Sequence, residues 1–141
     1  MINKALFSSE KTDWETPQNL YDLLDKEFNF TCDVAASPDN YKHPLYFHKG
    51  IDGLKQPWEG ICWCNPPYGR DISKWIEKAH TEAQNGVTTV MLIPARTDTR
   101  YFHDYIYGQY EIRFIKGRLK FGGCKSSAPF PSMIVIFRRE A

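Results

Sequence analysis

Residues 87–94 (VTTVMLIP) constrain the fold more than any other stretch of the chain. They are β-branched at the start and almost wholly apolar at the end. Such a run, without polar alternation, reads as a central strand covered on both faces. A second apolar run, Ile61-Cys62-Trp63-Cys64, stops abruptly at Asn65-Pro66-Pro67-Tyr68-Gly69, because neither proline can donate to a sheet ladder. Between the two runs, Ile72, Trp75, Ile76, Ala79 and Ala83 recur at helical three–four spacing, with Asp71 placed to cap the helix and Gly86 beyond its end.

The flanking segments extend this pattern. Residues 18–28 form a helix with Thr16 as N-cap, Pro17 at the first helical position and Leu20, Leu23, Leu24 and Phe28 on one face. Residues 30–34 are a strand that ends in Ala35-Ala36-Ser37 and then Pro38. Residues 40–60 read as loop, with a short strand at 45–47. A helix follows from Thr97 or Asp98 to Tyr107, stopped by Gly108, and strands are expected at 111–115, 118–121 and 133–137. This order calls for an α/β three-layer architecture whose mostly parallel sheet ends in a mixed edge with an antiparallel member. The 141 residues suit one domain with a core that needs no disulfide or metal.

Cys32, Cys62, Cys64 and Cys124 lie in apolar or strand-like contexts without a second pair at zinc-ligand spacing, and His43, His48, His80 and His103 show no HxxxH or HExxH pattern. Buried reduced thiols are expected, and no metal. No apolar run reaches the length of a membrane span, and residues 1–10 are too short and polar for a signal peptide, so no membrane partner and a cytoplasmic location are expected.

The net charge of +1 hides a gradient: residues 1–95 carry nine Lys+Arg against thirteen Asp+Glu, and residues 96–141 nine against four. In the basic third, Arg96, Arg100, Arg113, Lys116, Arg118, Lys120 and Lys125 alternate with Tyr101, Tyr107, Phe114 and Phe121. Such a stretch suits phosphates and flanking bases; a solvated basic sheet edge is the plain alternative.

Ligands of open α/β sheets bind outside the carboxyl ends of the strands, where residues 33–37, 65–68 and 94–97 arrive. Asn65-Pro66-Pro67-Tyr68 carries the chemistry. An exocyclic amino group on an aromatic ring is a poor nucleophile, because its lone pair is delocalised. The Asn65 side-chain oxygen and the Pro66 carbonyl, held rigidly by the diproline, can accept both amino hydrogens and favour a pyramidal nitrogen. Tyr68 can stack on the ring. An asparagine cannot take up a proton as a carboxylate does, so the motif supplies placement and hydrogen bonds but no general base. A rigid strand-to-helix turn is the alternative.

Asn65-Pro66-Pro67-Tyr68 resembles the (Asp/Asn/Ser)-Pro-Pro-aromatic motif of S-adenosylmethionine-dependent amino-group methyltransferases. With Trp14-Glu15-Thr16-Pro17-Gln18, Asp33-Val34-Ala35-Ala36-Ser37, Asp52-Gly53-Leu54 and Pro94-Ala95-Arg96-Thr97-Asp98-Thr99, nearly the whole chain is similar to the phage-type, Dam-like DNA N6-adenine methyltransferases. The resemblance implies a class I (Rossmann-like) methyltransferase sheet, S-adenosylmethionine as donor and adenine N6 in DNA as acceptor. It implies Asn65, Pro66, Pro67 and Tyr68 as the catalytic turn, and Thr16, Pro17, Asp33, Val34, Ala35, Ala36 and Ser37 as cofactor contacts. Asp33 can pair with the donor's positive groups; a cap or turn role is its alternative. Asp52 is a weaker candidate for a ribose hydroxyl, and an Asp-Gly turn explains it as well.

Residues 35–37 lack the usual glycine of such a cofactor loop, and the short spacing from Asp33 to Asn65 implies that one or two strand–helix units are reduced or missing. Arg96, Arg100, Arg118 and Lys120 are the DNA-contact candidates. The chain has no room for a separate target-recognition domain, so specificity is low, or built from short loops such as residues 117–131, or dependent on a homodimer. The phage-type resemblance suggests protection against restriction in a bacterial or phage-infected cell. RNA or protein amides as acceptors, or a non-catalytic DNA-binding accessory protein, remain the alternatives.

Overall fold

The computed structural model describes residues 14–48 and 50–139; residues 1–10, expected to be no signal peptide, lie outside them. Helix α1 (Gln18–Phe28) leads to β1 (Cys32–Asp33), a 3-10 turn (Gly53–Lys55) and β2 (Ile61–Cys64). Then come α2 (Ile72–Gln84), β3 (Thr88–Pro94), a π-helical segment (Phe102–Ile106), β4 (Glu111–Phe114) and β5 (Ser132–Phe137). The sheet order is β1-β2-β3-β5-β4. β1, β2 and β3 are parallel, whereas β5 is antiparallel to both β3 and β4.

The sheet is therefore mixed, and only partly parallel. Two of its four pairings are antiparallel, and the reversed strand lies inside the sheet between β3 and β4 rather than at its edge. β3 and β5 pair over six rungs, from Thr89–Phe137 to Pro94–Ser132. The fully buried Val90, Met91, Leu92 and Ile93 meet Met133 to Ile136 there, which accounts for the unbroken apolar run.

Successive side chains along a strand face opposite ways. Trp63 shares its face with Val90 and Ile136, and α1 packs there through the Tyr21 ring, 5.5 Å from Trp63. Phe137 points to the other face, where Tyr110 links it to His80 of α2 (rings 4.9 and 5.8 Å). The helices thus cover both faces.

Several local expectations need correction. Thr16 is not the cap of α1: Pro17 occupies the N-cap position without a side-chain capping bond, and the buried Thr16 hydroxyl bonds Asn65 instead. Leu23 faces solvent at 67% exposure and Tyr21 takes its place in the core, because the face is set by the aromatic cluster of Phe28, Phe30 and Trp63. Asp71 stands at the start of α2 but makes no capping bond; its carboxylate pairs with Lys74 at 3.2 Å. Residues 97–99 form a turn, and helical structure narrows to residues 100–106, whose π-helical part ends with Tyr107 N–H donating to the Phe102 carbonyl. Residues 118–121 are not a strand: the nearest pairing is a single bridge from Gly122 to Glu15. Residues 45–47 contribute one parallel bridge, Tyr46 to Asp33. Cys32, Cys62 and Cys64 are buried free thiols, and Cys124 is half-buried. Burial pushes the Cys32 and Cys62 thiols up to about 11 and 12.

Candidate active site

The strand directions bring five chain segments to one edge of the sheet. The stretches after β1, β2 and β3 leave at that edge, and so does the β4–β5 connection, because Phe114 pairs with Met133 and Pro94 with Ser132 at its two sides. Ala95 N–H donates to the Pro131 carbonyl (2.8 Å), tying the β3 exit to this connection. The fifth segment, Trp14 to Thr16, is held there by Gly122 N–H donating to the Glu15 carbonyl (2.8 Å). The contact is close: a Cβ on Gly122 would fall 2.9 Å from the Glu15 side chain.

At the exit of β2, both hydrogens of the Asn65 side-chain amide are engaged. Nδ2 donates to the Trp14 main-chain carbonyl and to Thr16 Oγ1 at 2.9 Å. Asn65 Oδ1 is buried and accepts no hydrogen bond, which is costly for a polar atom shielded from water. Pro66, next in the chain, is also buried. Tyr68 is only 5% exposed; its hydroxyl donates to the Leu92 carbonyl at 3.0 Å, and burial pushes its pKa well up. Phe121 and Phe130 meet its ring edge-on at 6.4 and 5.7 Å, and the same two rings pack on Trp14 at 5.3 and 5.0 Å. In this conformation Tyr68 presents no free face to a base.

At the exit of β1, Asp33 is 3% exposed. Its carboxylate accepts Lys42 N–H at 2.9 Å and Ala35 N–H at 3.3 Å, which fastens the following loop. Burial raises its pKa to about 6, against the lowering effect of those two bonds. Val34 is fully buried, while Ala35, Ala36 and Ser37 are half-buried. Their N–H groups are engaged within the loop, with Asp33, Phe47 and Asn40.

Gly53 abuts this strand end, since a Cβ there would lie 2.2 Å from the Val34 carbonyl. That brings Asp52 close, but its carboxylate accepts Leu54 N–H (3.2 Å) and lies 3.9 Å from Lys55, the geometry of a turn.

Arg96, Arg100, Arg118 and Lys120 are exposed on segments of the same edge, and none makes an ion pair among the described residues. Arg113 differs. It binds Glu27 through two 2.7 Å hydrogen bonds and Glu111 through one of 2.6 Å, so it fastens β4 to α1. Sequence reasoning gave no role to Trp14 and Phe130 in enclosing the turn. Trp14 stood within a quoted motif, but nothing local placed Phe130 beside Tyr68.

Residues 4–140 match the family model described as "DNA N-6-adenine-methyltransferase (Dam)". The chain is also 27% identical over 142 residues to the "DNA N-6-adenine-methyltransferase" of Haemophilus phage HP1 (strain HP1c1), an alignment covering 94% of this chain and 82% of that protein. A match over essentially its whole length, with the unpaired Asn65 oxygen set at a strand end, places the chain in the DNA N-6-adenine-methyltransferase (Dam) family.

Proposed function

We propose that this chain, as a single catalytic domain, transfers a methyl group from S-adenosylmethionine to the N6 amino group of an adenine flipped out of DNA. One observation carries the reading: Asn65 Oδ1 is a buried acceptor without a donor, on an amide whose nitrogen is fully engaged. A substrate amino group is the partner that such an oxygen lacks. Accepting one amino hydrogen on Oδ1 and the other on the Pro66 carbonyl would localise the nitrogen lone pair, and the diproline fixes the spacing before the base arrives. The strand order with its one reversed strand, and the lone rung of Tyr46 beside Asp33, support a reduced class I methyltransferase sheet.

The residues at the β1 exit fit a cationic donor. The Asp33 carboxyl is buried and held up at about 6, so its two backbone hydrogen bonds and the Lys42 and His43 charges compensate it only in part, and a positive group beside it would add to them. The small side chains of Ala35, Ala36 and Ser37 leave room at the strand end. When bound, S-adenosylmethionine supplies an electrophilic methyl on a sulfonium centre. Thr16 and Pro17, expected from the resemblance to touch it, lie beside Asn65. Asp52 acts as a turn residue in this reading. Arg96, Arg100, Arg118 and Lys120 contribute cations for the phosphates around the base. Because Tyr68 is enclosed, a base that stacks on it must first displace the segment bearing Phe121 and Phe130.

The test is incubation of the chain with methyl-labelled S-adenosylmethionine and unmethylated duplex DNA, followed by nucleoside mass spectrometry with Asn65→Ala alongside. Label on N6-methyladenine that disappears in the variant supports the reading. Label on another nucleoside, or none with bound donor, refutes it.

A further inference from the structure

We infer that Thr16 is a positioning residue for Asn65: with the Trp14 main-chain carbonyl, its hydroxyl locks the asparagine amide so that oxygen, not nitrogen, faces the incoming amino group. The inference rests on the proposed reaction and gives Thr16 a task other than contact with the donor.

A primary amide presents opposite hydrogen-bonding character on its two sides, and a half-turn about its terminal torsion exchanges them. Turned the wrong way, Asn65 would offer hydrogens to an amino group that itself offers hydrogens. The diproline does not prevent this, because it restrains the backbone and leaves the side-chain torsion free. The restraint comes from a segment 49 residues earlier in the chain, where Nδ2 meets Thr16 Oγ1 at 2.9 Å and also the Trp14 carbonyl. A carbonyl only accepts, so the amide edge that faces it must be NH2. Oδ1 then points away, where it is buried and unbonded.

The clamp is itself held. Thr16 is 2% exposed, the Trp14 ring is packed against Phe121 and Phe130, Glu15 is bridged to Gly122, and the Pro17 carbonyl accepts the Leu20 and Tyr21 N–H groups of α1 at 3.1 and 3.2 Å. Residues 14–16 are therefore fixed on both sides of the two acceptors that orient Asn65.

Thr16→Val keeps the shape and removes the acceptor. In single-turnover methyl transfer to duplex DNA by the full chain, it should slow the reaction roughly tenfold, the scale of one lost hydrogen bond that holds a reacting group, while donor affinity by calorimetry changes less than about twofold. Thr16→Ser, which keeps the hydroxyl, should recover most of the rate. Independently of any activity, the Asn65 side-chain amide protons should exchange slowly with water in the wild type, as read by nitrogen-15 NMR, and faster in Thr16→Val.

An unchanged rate, or a donor affinity that falls in step with the rate, overturns the inference. So does fast exchange of both amide protons in the wild type, a measurement that decides even if Thr16→Val does not fold. If wild-type protein leaves adenine unlabelled, the proposed reaction fails, and the exchange rates still judge the clamp.

Discussion

The exits of β1 and β2 lie side by side on the sheet, yet they treat their leading polar residue in opposite ways. Asp33 directs both carboxylate oxygens at backbone N–H groups of its own loop, so its hydrogen-bonding capacity is met within the fold and only its charge is left for a ligand. Asn65 has both amide hydrogens engaged and its oxygen left over. A fold tolerates a buried unpaired acceptor only where something else offsets it, so polar groups at one sheet edge separate into those whose hydrogen bonds are met by backbone and those with an unmet capacity. The same division runs through the cations: Arg113 is locked between Glu27 and Glu111, whereas Arg96, Arg100, Arg118 and Lys120 make no ion pair among the described residues.

The largest way to disturb this comparison is at Tyr68. Emptying its enclosed site with Tyr68→Ala should cost about 3 to 5 kcal/mol of stability in urea unfolding, the scale of a large buried aromatic removed from a packed cluster, and a cost below 1 kcal/mol would show that the ring is not held as described. Tyr68→Phe, which loses only the bond to the Leu92 carbonyl, should cost about 1 kcal/mol.

Asp33 comes next, and its effect depends on pH. Its folded pKa of about 6 lies above the ordinary value of 3.8, so the folded state binds the extra proton between these values. Stability from this group therefore falls as pH rises from about 4 to about 6, by up to about 3 kcal/mol, and is flat outside that window. Asp33→Asn should remove this slope from a stability-versus-pH series; an identical slope in the variant would assign the titration elsewhere. If Asp33 faces a cationic donor, donor affinity rises over the same window.

The smallest expected effect is on salt dependence. Replacing Arg118 and Lys120 together by Ala should reduce the slope of log K for DNA against log salt by about 2. Arg113→Ala should leave that slope alone and lower stability instead. A slope change only in Arg113→Ala would reverse the assignment of the free and the engaged cations.

What the sequence revealed follows from how local each determinant is. β2 and β3 were legible because an apolar run ended by proline is decided within a few residues, and α2 because its three–four spacing is continuous. The insertion of β5 between β3 and β4 was not, since six rungs of pairing join residues some forty positions apart in sequence, and no local pattern states a partner. Residues 118–121 have strand-like composition but sit in a connection anchored by Gly122 to Glu15. The Asn65-Pro66-Pro67-Tyr68 turn was visible as a tetrapeptide. The enclosure of Tyr68 and the Thr16 contact were not, because both depend on segments brought in from far along the chain.

In the proposed reaction, Asn65 Oδ1 is kept unpaired for the amino group of the substrate. The most direct measurement is the single-turnover rate of methyl transfer to adenine in duplex DNA, wild type against Asn65→Ala, with donor affinity measured in parallel. A loss of about two to three powers of ten in rate is expected, the effect of removing one such stabilising group, with donor affinity retained. A variant that methylates at the wild-type rate would contradict it.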